Sequence, residues 1–500
     1  MLKVVRRCGW ALCVFLFIFR SSDAFSETPN TSTPSCDEIS LDDESYLIRR
    51  PEDLRILSDV TKRRLYVPSD SRFGDATIVL TGAGYGRTVS SLECVYANKS
   101  LADSTLGDVA RLVFDSANDW VVDSLSITGN GDSRPVVEFR NSSSNNVLQH
   151  SRIANFVAGI IIFGGSNGNI IANNTIEKQI LEEGNDRVCI GLDARKLTQG
   201  RTLKGTEIRG NSIRNCIDGV QLIDNPLLPG TADFSNTLIE GNHIWINDEI
   251  YTNCEGRLSS KGNCACAENA IDIKSGGSLG GDIVVRFNRV HGFRKTDPLC
   301  AGSGSWGAAI VAHFNPRFIR IEGNAIYDSA RGIAVIGKTK AVALNNNLIF
   351  DMWESQKNTG FAVVLAEKDE LGRSSDTEMQ SNIIINSEGG LVIRSRNTEF
   401  NHNLVVRSEP LRSDKRIKTE NNLFVGRAKS SNPSASNHGK EHGCYDSKIS
   451  TSRNAKICMN FPFENLGETC KDLVISSNCS DQVRSYIESM STELNVRLAN

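Results

Sequence analysis

The amino-acid sequence predicts an all-β solenoid, in which short strands coil into a tube of stacked turns. An asparagine recurs two positions ahead of an apolar residue at Asn174, Asn211, Asn242, Asn288, Asn324, Asn347, Asn382, Asn403 and Asn422. The shortest spacings are about twenty residues, and the longer ones fit one turn plus an inserted loop. A repeat this short cannot bury a core alone, so its copies must stack. Strand-sized apolar runs bounded by Gly and Asn predict β-strands, and one residue type at one phase predicts an asparagine ladder.

A second apolar run aligns in turn after turn, and its alternation predicts one buried and one outer face. The predicted inward residues are Val137, Phe139, Ile160, Ile162, Ile190, Leu192, Val220, Leu222, Ile271, Ile273, Ile310, Ala312, Ile333 and Val335. The polar residues on the outer face are Glu138, Arg140, Asp193, Gln221, Asp272, Lys274 and His313. Insertions at residues 224–235, 249–268 and 295–306 flank the middle turns. Loops around a rigid sheet face form the walls of a groove, so we expect a binding site there.

The chain divides into five predicted segments. Residues 1–24 resemble a signal peptide, because Lys3, Arg6 and Arg7 precede an apolar run that is too short for a membrane span. Residues 25–75 form a polar leader and N-terminal cap, and residues 76–426 form the β-helix. A linker at 427–443 leads to a cysteine-containing cap at 444–500, which covers the exposed end of the solenoid. We therefore expect a secreted monomer without a membrane anchor after signal cleavage.

Charge and cysteine content narrow the possible partners. The formal net charge is −3, and removal of the basic signal makes the chain more acidic, so no global charge recruits nucleic acid or an anionic surface. Of the 14 cysteines, two lie in the signal, which leaves an even number suited to disulfides in an oxidising compartment. Five sequons agree with a secreted glycoprotein, at Asn30, Asn98, Asn141, Asn173 and Asn478.

Two segments resemble a known enzyme family. Residues 268–277 (ENAIDIKSGG) resemble the strand that carries the catalytic lysine in the chondroitinase B and alginate lyase group, and residues 307–315 (GAAIVAHFN) resemble its next-turn strand. The resemblance implies a right-handed parallel β-helix, or pectin-lyase fold, over residues 76–426. It implies Lys274 as catalytic base, assisted by His313, and Glu268 and Asp272 as ligands of Ca²⁺. Ala312 stands where the family has an arginine, which leaves Arg331, Arg294 or His313 as the proton donor.

The implied chemistry is β-elimination in an acidic polysaccharide. It requires a neutralised uronate carboxylate and a base poised near neutrality, which a lysine is only when its surroundings lower its pKa. We expect Glu138, Arg140, Asp193 and Gln221 to line the substrate groove. Hydrolysis matches the sequence less well, because the predicted strands contain no Asp-Asp pair and the sequence contains no Gly-His-Gly motif. Asp193 with Asp272 offers another carboxylate pair. A uronan epimerase and a non-catalytic glycan-binding or coat protein are the other interpretations.

Overall fold

The computed structural model describes residues 40–48, 63–68, 76–92, 109–180, 188–195, 202–224, 232–247, 268–277, 281–294, 307–353, 360–368, 372–406, 408, 412–413, 417–420 and 422–425. The predicted signal, linker and C-terminal cap, three of the sequons (Asn30, Asn98 and Asn478) and all cysteines but Cys189 and Cys216 lie outside these ranges. Within them, no helix is long and apolar enough to cross a membrane. The secondary structure that they form is β-sheet.

The strands form three long sheets. Sheet 1 contains Ser45–Leu47, Arg64–Pro68, Thr88–Leu92, Val121–Asp123, Val147–Gln149, Ile170–Ala172, Glu207–Arg209, Leu238–Glu240, Ile283–Arg286, Arg317–Glu322, Lys340–Asn345, Ser375–Gln380, Arg396–Asn401 and Lys418–Glu420. Sheet 2 contains Ser126–Thr128, Arg152–Phe156, Thr175–Gln179, Ser212–Arg214, His243–Trp245, Arg289–His291, Ala325–Tyr327, Leu348–Met352, Ile383–Ser387, Leu404–Val406 and Leu423–Val425. Sheet 3 contains Thr77–Ala83, Arg111–Asn118, Pro135–Arg140, Ala158–Phe163, Val188–Asp193, Asp218–Ile223, Asn269–Ile273, Ala308–Ala312, Arg331–Ile336, Phe361–Lys368, Gly390–Ile393 and Arg412–Ser413, with Gly372–Arg373 antiparallel to Phe361–Lys368.

From Val121–Asp123 onward, each turn of the tube passes from sheet 1 to sheet 2 to sheet 3 and returns to sheet 1 beside the previous strand. The neighbouring strands along these three sheets are parallel, so the fold is a parallel β-helix and the predicted solenoid is confirmed. Right-handed winding, which the family resemblance implies, is the hand of nearly all crossovers between parallel strands. Two strands, Ser45–Leu47 and Arg64–Pro68, already pair in sheet 1 ahead of residue 76.

The core lies inside the tube and follows the predicted alternation. Val137, Ile160, Ile190, Val220, Ile271, Ile310 and Ile333 are partners from one turn to the next and are each 0% exposed. All fourteen residues predicted to face inward belong to one continuous hydrophobic core. Full burial of one such aliphatic side chain contributes roughly 1.5–3 kcal/mol, so the column stabilises every turn against its neighbours. Cys189 and Cys216 form a disulfide within this core and join adjacent turns.

The asparagine ladder runs along the corner between sheets 1 and 2. In each step, the backbone N–H and the side-chain amide of one asparagine both donate to Oδ1 of the next, as Asn211 does to Asn242 at 2.9 Å each. The steps continue from Asn174 to Asn422, as predicted. The residue ahead of each asparagine from Asn174 to Asn403 is left-handed, with φ between 56° and 65°. This conformation turns the chain sharply from one sheet to the next.

Candidate functional site

The candidate site lies on the outer face of sheet 3, in its middle turns. Sheet 3 departs from simple alternation near the start of its strands, because two successive residues such as Ala270 and Ile271 both belong to the core. The residue ahead of this pair therefore joins the outer face. Polar side chains occupy that face at Asp218, Gln221, Asn269, Asp272, Lys274 and His313. Small apolar clusters lie on either side along the tube, one with Ile161, Phe163 and Val188, the other with Ala308, Val311, Ala334 and Ile336.

Three carboxylates meet at this place. One oxygen from each of Asp218, Glu268 and Asp272 lies within 4.8 Å of the others. Asp218 and Asp272 are buried, at 1% and 0% exposure, whereas Glu268 is half-buried. Asp218 accepts hydrogen bonds from the Asn269 backbone N–H and from Nε2 of Gln221, both at 3.0 Å. The strands Asp218–Ile223 and Asn269–Ile273 are paired, which brings these carboxylates together from residues about fifty positions apart in sequence.

Asp272 connects the acidic cluster to the two predicted catalytic side chains. Its Oδ1 lies 2.8 Å from Nε2 of His313, and its Oδ2 lies 3.2 Å from Nζ of Lys274. Oδ2 also accepts a hydrogen bond from Nε2 of Gln221 at 3.1 Å. The Lys274 and His313 side chains retain 18% and 11% exposure, so both are more accessible than the Asp272 side chain, which is 0% exposed. Lys274 and His313 stand on adjacent turns of one face, as the alignment of the turns predicts.

The electrostatics separate the two buried aspartates. Burial alone would raise the pKa of Asp272, but the charges and hydrogen bonds of His313 and Lys274 outweigh it and lower that pKa to about 2. Burial, together with the negative charges of Glu268 and Asp272, raises the pKa of Asp218 well above its ordinary value. The cluster thus combines a strongly ionised carboxylate with one that resists ionisation.

The other predicted groove residues lie farther along the tube. Glu138 stands three turns before Gln221 in the same column and forms ion pairs with Arg111 and Arg140. Arg140 also pairs with Asp115 at 2.7 Å. Asp193 is one turn before Ile223 and pairs with Arg195 at 2.8 Å. These side chains form local ion pairs and do not join the acidic cluster.

The two arginines considered as proton donors differ in position. Arg331 belongs to the outer column that contains Asp218 and Asn269, two turns beyond Asn269. Arg294 follows a strand of sheet 2, where its guanidinium pairs with Asp328 and lies over the ring of Trp353. Arg331 therefore shares the face of Lys274, whereas the guanidinium of Arg294 contacts Asp328 and Trp353.

Two members of the cluster, Asp218 and Asn269, were not predicted from the sequence. Strict alternation from the inward Val220 assigns residue 218 to the core, and the break in alternation reverses that assignment. The available signal was the polar character of Asp218 and Asn269, each of which directly precedes an apolar run, since an unpaired aspartate inside the tube would be costly. Asp218 and Asn269 are indeed partners on adjacent strands.

The composition of the cluster fits a hard divalent cation. Calcium prefers six to eight oxygen ligands, which carboxylates and amide carbonyls supply. Beside the three carboxylates, the amides of Gln221 and Asn269 contact Asp272 through nitrogen, while Gln221 Oε1 and Asn269 Oδ1 are buried without a hydrogen-bond partner. The two ends of an amide are related by rotation about the last side-chain bond, so these oxygens can turn toward the carboxylates. Glu268 and Asp272, the predicted ligand pair, thus lie with Asp218 in a group of carboxylates that could hold a metal ion.

Comparison with known proteins identifies no family for this chain. No protein-family model matches it, and no curated protein matches it. Among solved structures it is similar to PfbA, a surface adhesin of Streptococcus pneumoniae, with 13% identity, a TM-score of 0.44 and coverage of 75% of this chain and 85% of that one. It is also similar to a family 28 exopolygalacturonase of Yersinia enterocolitica, with 8% identity, a TM-score of 0.42 and coverage of 78% of each chain. A tailspike protein of Escherichia coli bacteriophage HK620 has 12% identity, a TM-score of 0.41 and coverage of 72% and 66%.

Proposed function

We propose that this protein binds an acidic polysaccharide on the outer face of sheet 3 and cleaves it by β-elimination. The observation that carries the proposal is the convergence of Lys274 and His313 on Asp272, beside three carboxylates suited to a cation. A signal peptide at residues 1–24 would bring the protein to polysaccharides outside the cell. The apolar clusters on both sides restrict this chemistry to two or three turns of the tube.

Lys274 is the proposed base and His313 the proposed acid. The base removes the proton from C5 of a uronate, and the C–H electron pair becomes the C4–C5 double bond as the C4–O bond breaks. The acid gives its proton to the departing glycosidic oxygen, which restores the proton balance. Asp272 is buried and its carboxylate contacts His313, Lys274 and Gln221, so in the proton transfers it orients Lys274 and His313. It is a positioning residue in this scheme.

The proposed calcium ligands are Asp218, Glu268 and Asp272, with the amide oxygens of Gln221 and Asn269. A calcium ion held there would supply positive charge that neutralises a uronate carboxylate and offsets the acidic charge favouring the ammonium form of Lys274. Glu268 is half-buried, in contrast to the two aspartates, and therefore lies on the side that a substrate carboxylate can approach. Hydrolysis by Asp218 and Asp272 is disfavoured because neither carboxylate is accessible to a glycosidic oxygen.

The test is a screen of the purified protein on alginate, pectate and glycosaminoglycans, with and without calcium. A lyase releases unsaturated uronates, whose ultraviolet absorbance rises as the chains shorten. We expect Lys274→Ala to abolish this signal and His313→Ala to reduce it strongly, with the melting temperature retained. Lys340→Ala and His150→Ala are matched controls, because Lys340 and His150 are exposed and lie in or beside sheet 1.

Each alternative gives a different outcome. An epimerase would change the stereochemistry of the uronate without shortening the chain, and a non-catalytic binding protein would retain polysaccharide without either change. A Lys274→Ala variant with full activity would remove Lys274 from the mechanism. Cleavage without unsaturated ends would indicate hydrolysis and would overturn the proposed reaction.

A further inference from the structure

Two histidines face each other on the outer surface of sheet 2, which is separate from the acidic cluster of sheet 3. His243 and His291 belong to the adjacent strands His243–Trp245 and Arg289–His291, and their Nε2 atoms are 3.0 Å apart. Ile244 and Val290, the residues between the outward positions of these strands, are buried in the core. Both imidazoles therefore stand on the outside of the tube and are half-buried.

Stacked aromatic rings fix the orientation of both imidazoles. His243 stacks on Trp245 with the ring centroids 4.0 Å apart and an interplanar angle of 20°. His291 stacks on Tyr327 at 4.5 Å and 12°, and Tyr327 in turn stacks on Phe350 at 4.8 Å. Trp245, His291, Tyr327 and Phe350 are partners on four successive turns, so the parallel register builds this stack. Rings held in this way lose little further freedom when they bind a ligand.

We propose that His243 and His291 chelate a divalent transition-metal ion of the Cu²⁺ class. Imidazole is a preferred ligand of copper and nickel, which favour tetragonal arrangements of nitrogen and oxygen. With metal–nitrogen bonds of about 2.0 Å, two neighbouring ligands of a tetragonal ion stand about 2.8 Å apart, and those of a tetrahedral ion about 3.3 Å apart. The observed 3.0 Å lies between these values and needs only a small adjustment of either ring. Water completes the coordination shell.

The proton balance of this step is simple. When two neutral imidazoles share a hydrogen bond between their Nε2 atoms, one ring carries the proton on Nε2 and donates it, and Nε2 of the other ring accepts. Metal binding requires the donor ring to take its other neutral tautomer, with the proton on Nδ1, so no net proton is released. The guanidinium of Arg289 is held by the Tyr327 hydroxyl at 2.7 and 2.9 Å, which directs it to the next turn of the stack.

The test uses the full chain without an affinity tag, in a His438→Gln/His442→Gln background that removes two further histidines. The protein is saturated with Ca²⁺, which occupies oxygen ligands, and is titrated with Cu²⁺. We expect one bound Cu²⁺ per chain, with an electron paramagnetic resonance spectrum that shows coupling to two nitrogens. His243→Gln and His291→Gln should each lose the two-nitrogen signal, whereas His150→Gln should retain it.

The alternative results are distinct. A one-nitrogen spectrum that disappears in His313→Gln would assign the copper to the acidic cluster and overturn the proposal. The proposal would also be overturned if no copper binds near neutral pH, or if the His243→Gln and His291→Gln variants both keep the two-nitrogen spectrum. Melting temperatures of the variants control for misfolding. His243 and His291 are half-buried on the outer face, where a glutamine is compatible with the strand. None of these readouts depends on polysaccharide cleavage.

Discussion

Removal of one ladder asparagine should destabilise the β-helix far more than removal of a nearby asparagine outside the ladder. Asn347 is fully buried, and its Oδ1 accepts hydrogen bonds from the backbone N–H and side-chain amide of Asn324 at 3.1 and 3.0 Å. Its own amide donates to the Ile321 carbonyl at 2.9 Å and to Asn382 Oδ1 at 3.0 Å. Asn347→Ala therefore removes four buried hydrogen bonds. At about 1 kcal/mol each, the expected loss is about 4 kcal/mol of unfolding free energy.

Asn345 provides the matched control, because it lies two residues earlier and its Oδ1 is buried without a hydrogen-bond partner. Asn345→Ala removes an amide oxygen that has no hydrogen-bond partner among the described residues, so we expect the unfolding free energy to change by no more than about 0.5 kcal/mol. The free energies come from urea denaturation followed by circular dichroism. Hydrogen exchange at the Asn324 amide adds a local measurement, since a solenoid can lose cooperativity between turns. Equal losses in the two variants, or unchanged exchange at Asn324, would refute the ladder as the source of stability.

Three other substitutions test the site and the corners. Asp218→Asn should raise the melting temperature at pH 7 without calcium, because burial and the neighbouring carboxylates raise the pKa of Asp218 in the folded protein. A carboxyl group whose pKa is raised on folding stabilises the folded protein below its unfolded pKa of 3.8, and this stabilisation is lost as the pH rises. The gain in melting temperature from Asp218→Asn should therefore vanish near pH 3. An equal gain at pH 3 and pH 7 would contradict this reasoning. Gly241→Ala should cost about 1 kcal/mol, because its φ of 63° strains any Cβ. Gly323→Ala has the same φ, but its Cβ would lie 2.7 Å from a ring carbon of Phe287, so thermal unfolding should show a larger loss.

The scaffold could be predicted from sequence because its determinants are periodic. The turns from Asn174 to Asn422 repeat the same local requirements, an asparagine at one corner and an apolar alternation in sheet 3, so an ambiguous turn can be assigned from its neighbours. The left-handed residue before each asparagine was not predicted, although the sequence shows a residue preference at that position. Glycine or asparagine often occupies that position, and Phe287, with a φ of 56°, is an exception that hides the pattern.

The candidate site could be predicted only in part, because it is a single departure from the repeat. The adjacency of Lys274 and His313 follows from the alignment of turns, which requires no knowledge of local irregularity. Asp218 and Asn269 depend on two successive core residues at the start of each strand, a feature that simple alternation does not contain. The pairing of Asp272 with His313 also depends on side-chain directions, which sequence does not specify.

The energetics of Asp218 give the strongest reason to regard this face as functional. The same outer column holds Val188 one turn earlier and Ala308 one turn beyond Asn269, so the fold accepts apolar side chains at this position. Lys274 and His313 bond directly to Asp272, whereas Asp218 is bonded by the neutral donors of Asn269 and Gln221. A buried carboxylate with neutral partners beside two further acids is costly in the folded state. Packing alone therefore disfavours an acid at residue 218, whereas a bound cation would stabilise all three carboxylates at once.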